Sequence, residues 1–217
     1  MDPVRLTTSD GLSLEGEVRM ADGAAVGTAV LCHPHPLLGG SKDHPLLWAI
    51  RNELSASHGL TVLAFNFRGI MGSEGEYGHG RDELADVLAA VDHVRTLSPG
   101  PTLLVGWSFG ASVALRHAIA DDRVVALVLI GFPLGESLDR LPPVPERAGL
   151  RGRGVPTLLI SGAADQLSPA PEVRSLGRKL ENARVEIVPN ADHYFEKQER
   201  IVASLIGEFA DETLARQ

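Results

Sequence analysis

The sequence predicts an α/β fold, built on a mostly parallel, doubly wound sheet that opens with an antiparallel hairpin. Three observations carry this. Short, near-continuous apolar runs recur at 27–32, 60–67, 102–105, 124–132 and 157–160, and such runs suit strands buried on both faces. Helical patterns fall between them, so the connections are crossovers rather than hairpins. Ahead of the first run, Ser9-Asp10-Gly11 separates two extended segments, and Asp-Gly there is a strong hairpin signal because glycine accepts the positive φ of a tight turn.

Taken in order, 5–8 and 12–19 are the hairpin strands. Leu12, Leu14 and Gly16 alternate with Ser13, Glu15 and Glu17, as on a strand with one wet face. The segment 46–56 follows the first buried run as a helix. Leu84, Val87, Leu88, Val91 and Val94 recur at helical spacing, with Asp82, Glu83, Asp86 and Arg95 expected elsewhere on that helix. Further helices are expected at 111–120, 172–180 and 196–209, and a further strand at 185–188. The stretch 131–156 interrupts the alternation with Pro133, Pro142, Pro143, Pro145 and Pro156. It reads as an ordered excursion over the strand ends or a minimal lid on one domain spanning 1–217, since it holds too little apolar material for a second core.

Bulk properties narrow the function. A formal net charge of −8 and a pI near 5.5 disfavour a nucleic-acid binder, which needs a basic surface to displace counterions. A hydrophobic content of 44% and mean hydropathy of +0.04 fit an ordinary globular protein. The N-terminus lacks the basic start and apolar run of a secretory signal, and no apolar stretch approaches the roughly 20 residues that span a bilayer. The lone Cys32 fits a reducing compartment, so a cytoplasmic location is expected.

Ligands of open α/β sheets bind beyond the C-terminal strand ends, so chemistry is sought just after the strands. Gly106-Trp107-Ser108-Phe109-Gly110 follows a buried strand and precedes a helix. In that context G-x-S-x-G is a nucleophile elbow, a strained turn that exposes the serine Oγ above the sheet, with Gly106 and Gly110 permitting close strand–helix approach. The backbone N–H of Phe109, at the positive end of the next helix, is an oxyanion donor.

A serine hydroxyl needs a base held by an acid, in the chain order serine, acid, histidine for this fold. Downstream of Ser108 stand only His117 and His193. His117 lies within the helix leaving the elbow and points away, whereas His193 occupies the loop after the candidate strand 185–188. Asp165, directly after the buried strand 157–160, is the preferred acid. Asp192 competes, but adjacent side chains rarely aim at one another, and Asp192 is expected instead to start the last helix as an N-terminal acid.

The second oxyanion donor is sought in the loop after the first buried strand, His33-Pro34-His35-Pro36-Leu37-Leu38-Gly39-Gly40. Its prolines carry no N–H, which leaves His33, His35, Leu37 and Leu38 as donors. His35 is favoured, with Leu37 the alternate. His33, His35 and His44 also invite a metal reading, but no carboxylate or cysteine completes a recognisable spacing, and structural roles are preferred. Leu37, Leu38, Trp107, Phe132 and Tyr194 are candidate substrate-pocket walls, with ordinary packing an equal alternative.

With Ser108, Asp165 and His193 placed in order, the chain resembles the α/β-hydrolase superfamily over nearly its whole length. The His33-Pro34-His35-Pro36…Gly39-Gly40 loop is similar to that of small, cap-poor bacterial hydrolases related to the dienelactone-hydrolase-like and short-chain esterase groups. Asn66-Phe67-Arg68-Gly69-Ile70-Met71-Gly72-Ser73 resembles the superfamily's R-G-x-G-x-S segment, with Met71 where glycine is common and Arg68 expected to be structural. The resemblance implies hydrolysis of a small-molecule ester or related acyl substrate without metal or organic cofactor. Dienelactone hydrolases use cysteine as nucleophile, so lactone specificity is not carried over to Ser108. A haloalkane dehalogenase would need an acid there, and an oligopeptidase would need a large extra domain. Two rival readings stand beside it: a catalytically silent relative that uses the fold as a binding module, against which the intact Ser108, Asp165 and His193 argue, and an acyltransferase that uses the same residues with an acceptor other than water.

Overall fold

The computed structural model describes residues 1–134 and 154–214. Within these residues eight strands form one sheet: β1 (Asp2–Thr7), β2 (Ser13–Arg19), β3 (Gly27–Cys32), β4 (Leu60–Phe65), β5 (Thr102–Trp107), β6 (Val124–Ile130), β7 (Thr157–Gly162) and β8 (Ala183–Val188). Their spatial order is β1-β2-β4-β3-β5-β6-β7-β8. β1 and β2 pair antiparallel, with Leu6 opposite Leu14, and β2 pairs antiparallel with β4. Every other neighbouring pair is parallel. The hairpin turns where expected: Gly11 has φ +88° and donates its N–H to Thr8 O at 2.9 Å.

Among the described residues, five α-helices flank the sheet: α1 (Pro45–Ser57), α2 (Glu83–Leu97), α3 (Phe109–Ala120), α4 (Ala170–Gly177) and α5 (Glu199–Leu214). Successive strand residues send side chains to opposite faces, which produces two cores. Val30, Leu104, Leu127 and Leu159 pack with Val87 and Val91 of α2, Val113 of α3 and Val173 of α4 on one face. Leu31, Val105, Val128 and Ile160 pack with Leu47 and Ile50 of α1 and Val202 and Ile206 of α5 on the other. Central strands buried on both faces must be apolar throughout, which is why they read as unbroken runs.

Several expectations are corrected. The run 60–67 leaves the sheet after Phe65 because its donors find other acceptors. Asn66 N–H still reaches β2 at Glu15 O, 2.8 Å away, but Phe67 N–H turns to His33 Nε2 at 3.0 Å and Arg68 N–H to Asp86 Oδ2 at 2.9 Å. The run 124–132 stops at Ile130, where Gly131 turns with φ +53°. The last helix starts at Glu199 rather than 196, because Phe195 and Lys197 hold φ of +56° and +62°. Asp192 therefore starts no helix; its Oδ1 accepts Tyr194 N–H at 2.9 Å in a local turn. Glu83 and Asp86, expected away from the apolar stripe, are both fully buried. The excursion expected over 131–156 falls largely outside the described residues. Among those described, no helix is long and apolar enough to cross a membrane.

Candidate active site

β5 runs straight into α3 through Ser108, whose φ of 55° and ψ of −116° lie outside the region an L-residue ordinarily occupies. Two glycines make the turn possible. A Cβ on Gly106 would collide with Gly110 O and the Ala111 backbone, and one on Gly110 with Cys32 O and His33 O. The start of α3 is thereby pressed against the end of β3. Ser108 N–H is tied to Ile130 O at 2.8 Å, and Ser108 O accepts from Ala111 and Ser112 in the first helical turn. Phe109 N–H and Gly110 N–H, the first of the helix, have no acceptor among the described residues.

The ends of β5, β7 and β8 bring three side chains into one hydrogen-bonded line. Ser108 Oγ lies 2.9 Å from His193 Nε2, and His193 Nδ1 lies 2.8 Å from Asp165 Oδ2. The other carboxylate oxygen of Asp165 accepts N–H bonds from Leu167 and Ser168, each at 2.9 Å. Asp165 and His193 are buried, at 4% and 9% exposure, while Ser108 is partly open to solvent. Backbone packing fixes the histidine loop: a Cβ on Gly162 would strike Ala191 O and Asp192 O. One on Gly131 would stand 2.9 Å from His193 Cε1 and 3.4 Å from Asp165 Oδ2.

Trp107 and Phe132, expected as pocket walls, are buried within the two cores. Trp107 also has a task not read from the sequence, since its Nε1–H donates to His193 O at 3.2 Å. Leu37, Leu38 and Tyr194 are exposed, on the loops that follow β3 and β8. His117 lies away from Ser108, bonded to Asp121 Oδ2 at 3.0 Å.

The three clustered histidines each serve their own loop. His33 is fully buried; Nδ1 donates to Pro34 O at 2.7 Å and Nε2 accepts from Phe67 N–H. Burial pulls its pKa down to about 4, so it is neutral. His35 Nδ1 caps the 3₁₀ turn Pro36–Leu38 by accepting Leu37 N–H at 3.2 Å, which commits the alternate donor Leu37 to a local bond. The carbonyl of His35 accepts from Leu38 and Gly40, both at 3.1 Å, so the residue is held on either side. His44 Nδ1 caps α1 at Leu46 N–H, and burial lowers its pKa. Arg68 binds Asp86 through Nε and Nη2 at 3.0 and 2.7 Å and Asp10 through Nη1 at 2.9 Å. This ties hairpin, loop and α2 together, the structural role expected of it.

Residues 28–213 match the alpha/beta hydrolase domain family. The chain belongs to the α/β-hydrolase superfamily. A lidless α/β serine hydrolase from Xanthomonas campestris is 26% identical and superposes with a TM-score of 0.81 over 97% of this chain and 94% of that one. A putative α/β hydrolase from Agrobacterium tumefaciens is 26% identical, with a TM-score of 0.80 over 97% and 95%. An uncharacterised protein of Rickettsia prowazekii is 28% identical over 194 residues, covering 84% of this chain and 77% of that protein. The family match and the Xanthomonas relative support a hydrolase.

Proposed function

We propose that this α/β hydrolase is a serine esterase-type enzyme that cleaves small ester or related acyl substrates through Ser108, His193 and Asp165. The observation that carries the reading is the unbroken line Ser108 Oγ–His193 Nε2–Asp165 at 2.9 and 2.8 Å, ending on a strained serine. Strain held by the surrounding packing is what an elbow requires, and a silent binding module has no physical need for it. The Xanthomonas relative, named a serine hydrolase, agrees with this reading.

In this mechanism His193 Nε2 accepts the Ser108 proton as Oγ attacks the substrate carbonyl, whose π electrons move onto its oxygen. The N–H groups of Phe109 and His35 receive that oxyanion, and the α3 N-terminus adds its dipole. His193 Nδ1–H remains bonded to Asp165, which fixes the tautomer and stabilises the imidazolium. As the oxyanion collapses, Nε2–H protonates the leaving oxygen and leaves an ester on Ser108. Water, deprotonated by the same nitrogen, then reverses the sequence and releases the acid. The reaction needs neither metal nor organic cofactor. Covalent labelling by a fluorophosphonate, mapped to its residue, tests it.

A further inference from the structure

The connection between β4 and α2 contributes a side chain to this site that the mechanism above does not use. Tyr77 is half-buried against the two residues proposed as oxyanion donors. Its ring lies 5.3 Å from that of His35 and 5.6 Å from that of Phe109, and those two rings lie 5.5 Å from each other. The three form one tilted cluster, an arrangement that aromatic quadrupoles favour. Tyr77 Oη also lies 3.4 Å from His35 Nε2, a long contact. Because His35 Nδ1 accepts Leu37 N–H, the neutral imidazole carries its proton on Nε2 and directs it at the tyrosine oxygen.

The backbone beyond Tyr77 is clamped. Glu83, fully buried at the start of α2, accepts Gly78 N–H at 2.8 Å and Gly80 N–H at 2.7 Å, one on each carboxylate oxygen. Arg116 of α3 donates to Gly80 O at 2.9 Å. A Cβ on Gly69 would meet the backbone of Glu76 and Tyr77 at 3.1 to 3.2 Å, so the loop is also backed from behind. Tyr77 therefore projects from a segment fixed on three sides.

We propose that Tyr77 is a positioning residue for the oxyanion-binding side of the site: through His35 Nε2 and the Phe109 ring it holds the two donor peptides at residues 35 and 109. The inference rests on the serine-hydrolase reading above. A preorganised donor pair must not move as charge develops, and a side chain that grips both donors limits that movement. Its loss weakens stabilisation of the transition state more than binding of the substrate.

The test compares wild type, Tyr77→Phe, His35→Ala and the double variant. The substrates are a short-chain p-nitrophenyl ester and its thiono counterpart, with active sites counted by fluorophosphonate. Tyr77→Phe keeps the ring and the fold. It is expected to lower kcat for the oxygen ester about tenfold with KM within about twofold, a fraction of what losing a whole donor costs. Sulfur accepts hydrogen bonds poorly, so the preference for oxygen ester over thionoester should shrink in the variant. In the His35→Ala background the same substitution should add little. An unchanged kcat in Tyr77→Phe, an unchanged oxygen-to-sulfur preference, or full additivity with His35→Ala overturns the proposal while labelling at Ser108 still stands. Absence of labelling on folded wild type overturns both readings together.

Discussion

Asp165 shows how two oxygens of one side chain divide their work. Oδ1 is committed to the N–H groups of Leu167 and Ser168, and Oδ2 to His193 Nδ1. In Asp165→Asn the two backbone donors keep the amide oxygen on their side, so the NH₂ faces His193. The ring must then present a lone pair at Nδ1 and carry its proton on Nε2, where it cannot accept from Ser108. The substitution is nearly isosteric, so Tm should change little while kcat on a p-nitrophenyl ester falls by about 10³- to 10⁴-fold. Steady-state kinetics beside a thermal melt checks both halves. Retention of activity would mean that the histidine is oriented by another group.

At the level of elements, the β5–α3 junction depends on contact between backbones. Gly110→Ala places a methyl against Cys32 O and His33 O, both main-chain atoms that cannot swing aside. Strand and helix must separate, at a cost of about 3 kcal/mol, read as a lower urea midpoint with unchanged slope. Fluorophosphonate labelling should slow as well, since the Phe109 peptide moves with the helix. The glycines of this junction were legible in the sequence because they stand at fixed offsets around Ser108, between an apolar strand and a helix. Other parts were not. Glu83 and Asp86 look like wet-face charges because their partners, the Gly78 and Gly80 amides and Arg68, are set by the path of the preceding loop and not by helical spacing. Trp107 reads as one more apolar side chain, and only the approach of the β8 loop gives its indole N–H the carbonyl of His193. The start of α5 is hidden for the same reason: left-handed backbone at Phe195 and Lys197 follows from how the histidine loop packs, which neither residue type announces.

Across the whole molecule, the sheet is the beam on which the site is mounted. Strands β3, β5, β7 and β8 deliver the loops carrying His35, Ser108, Asp165 and His193 to one edge. The alternation that splits the strands into two cores thus also fixes how far apart those loops stand. The same burial sets a pH limit. His33 titrates near 4 in the fold and near 6.5 when free in the unfolded chain, so between those values the unfolded state binds more protons. Its contribution to stability is therefore complete above about pH 6.5 and is lost as pH falls toward 4, amounting to roughly 3 to 4 kcal/mol at about 1.4 kcal/mol per pH unit. Buried Glu83 and Asp86 have raised pKa values and act with the opposite sign, gaining stability as they protonate. The His33 share is isolated by difference. His33→Gln keeps an acceptor for Phe67 N–H and has nothing to titrate. Urea unfolding at several pH values should therefore give a shallower loss of stability from pH 6.5 to 4 in the variant than in wild type. Parallel curves would mean that His33 does not carry the slope.

In the proposed mechanism everything turns on Ser108 as a nucleophile activated by His193. The most direct measurement is the mass of the protein after exposure to a fluorophosphonate, followed by peptide mapping, on wild type and Ser108→Ala. One adduct per chain on the peptide containing Ser108, absent from the folded Ser108→Ala protein, is the result predicted. An adduct on another serine, or an unmodified wild type that is demonstrably folded, would contradict it.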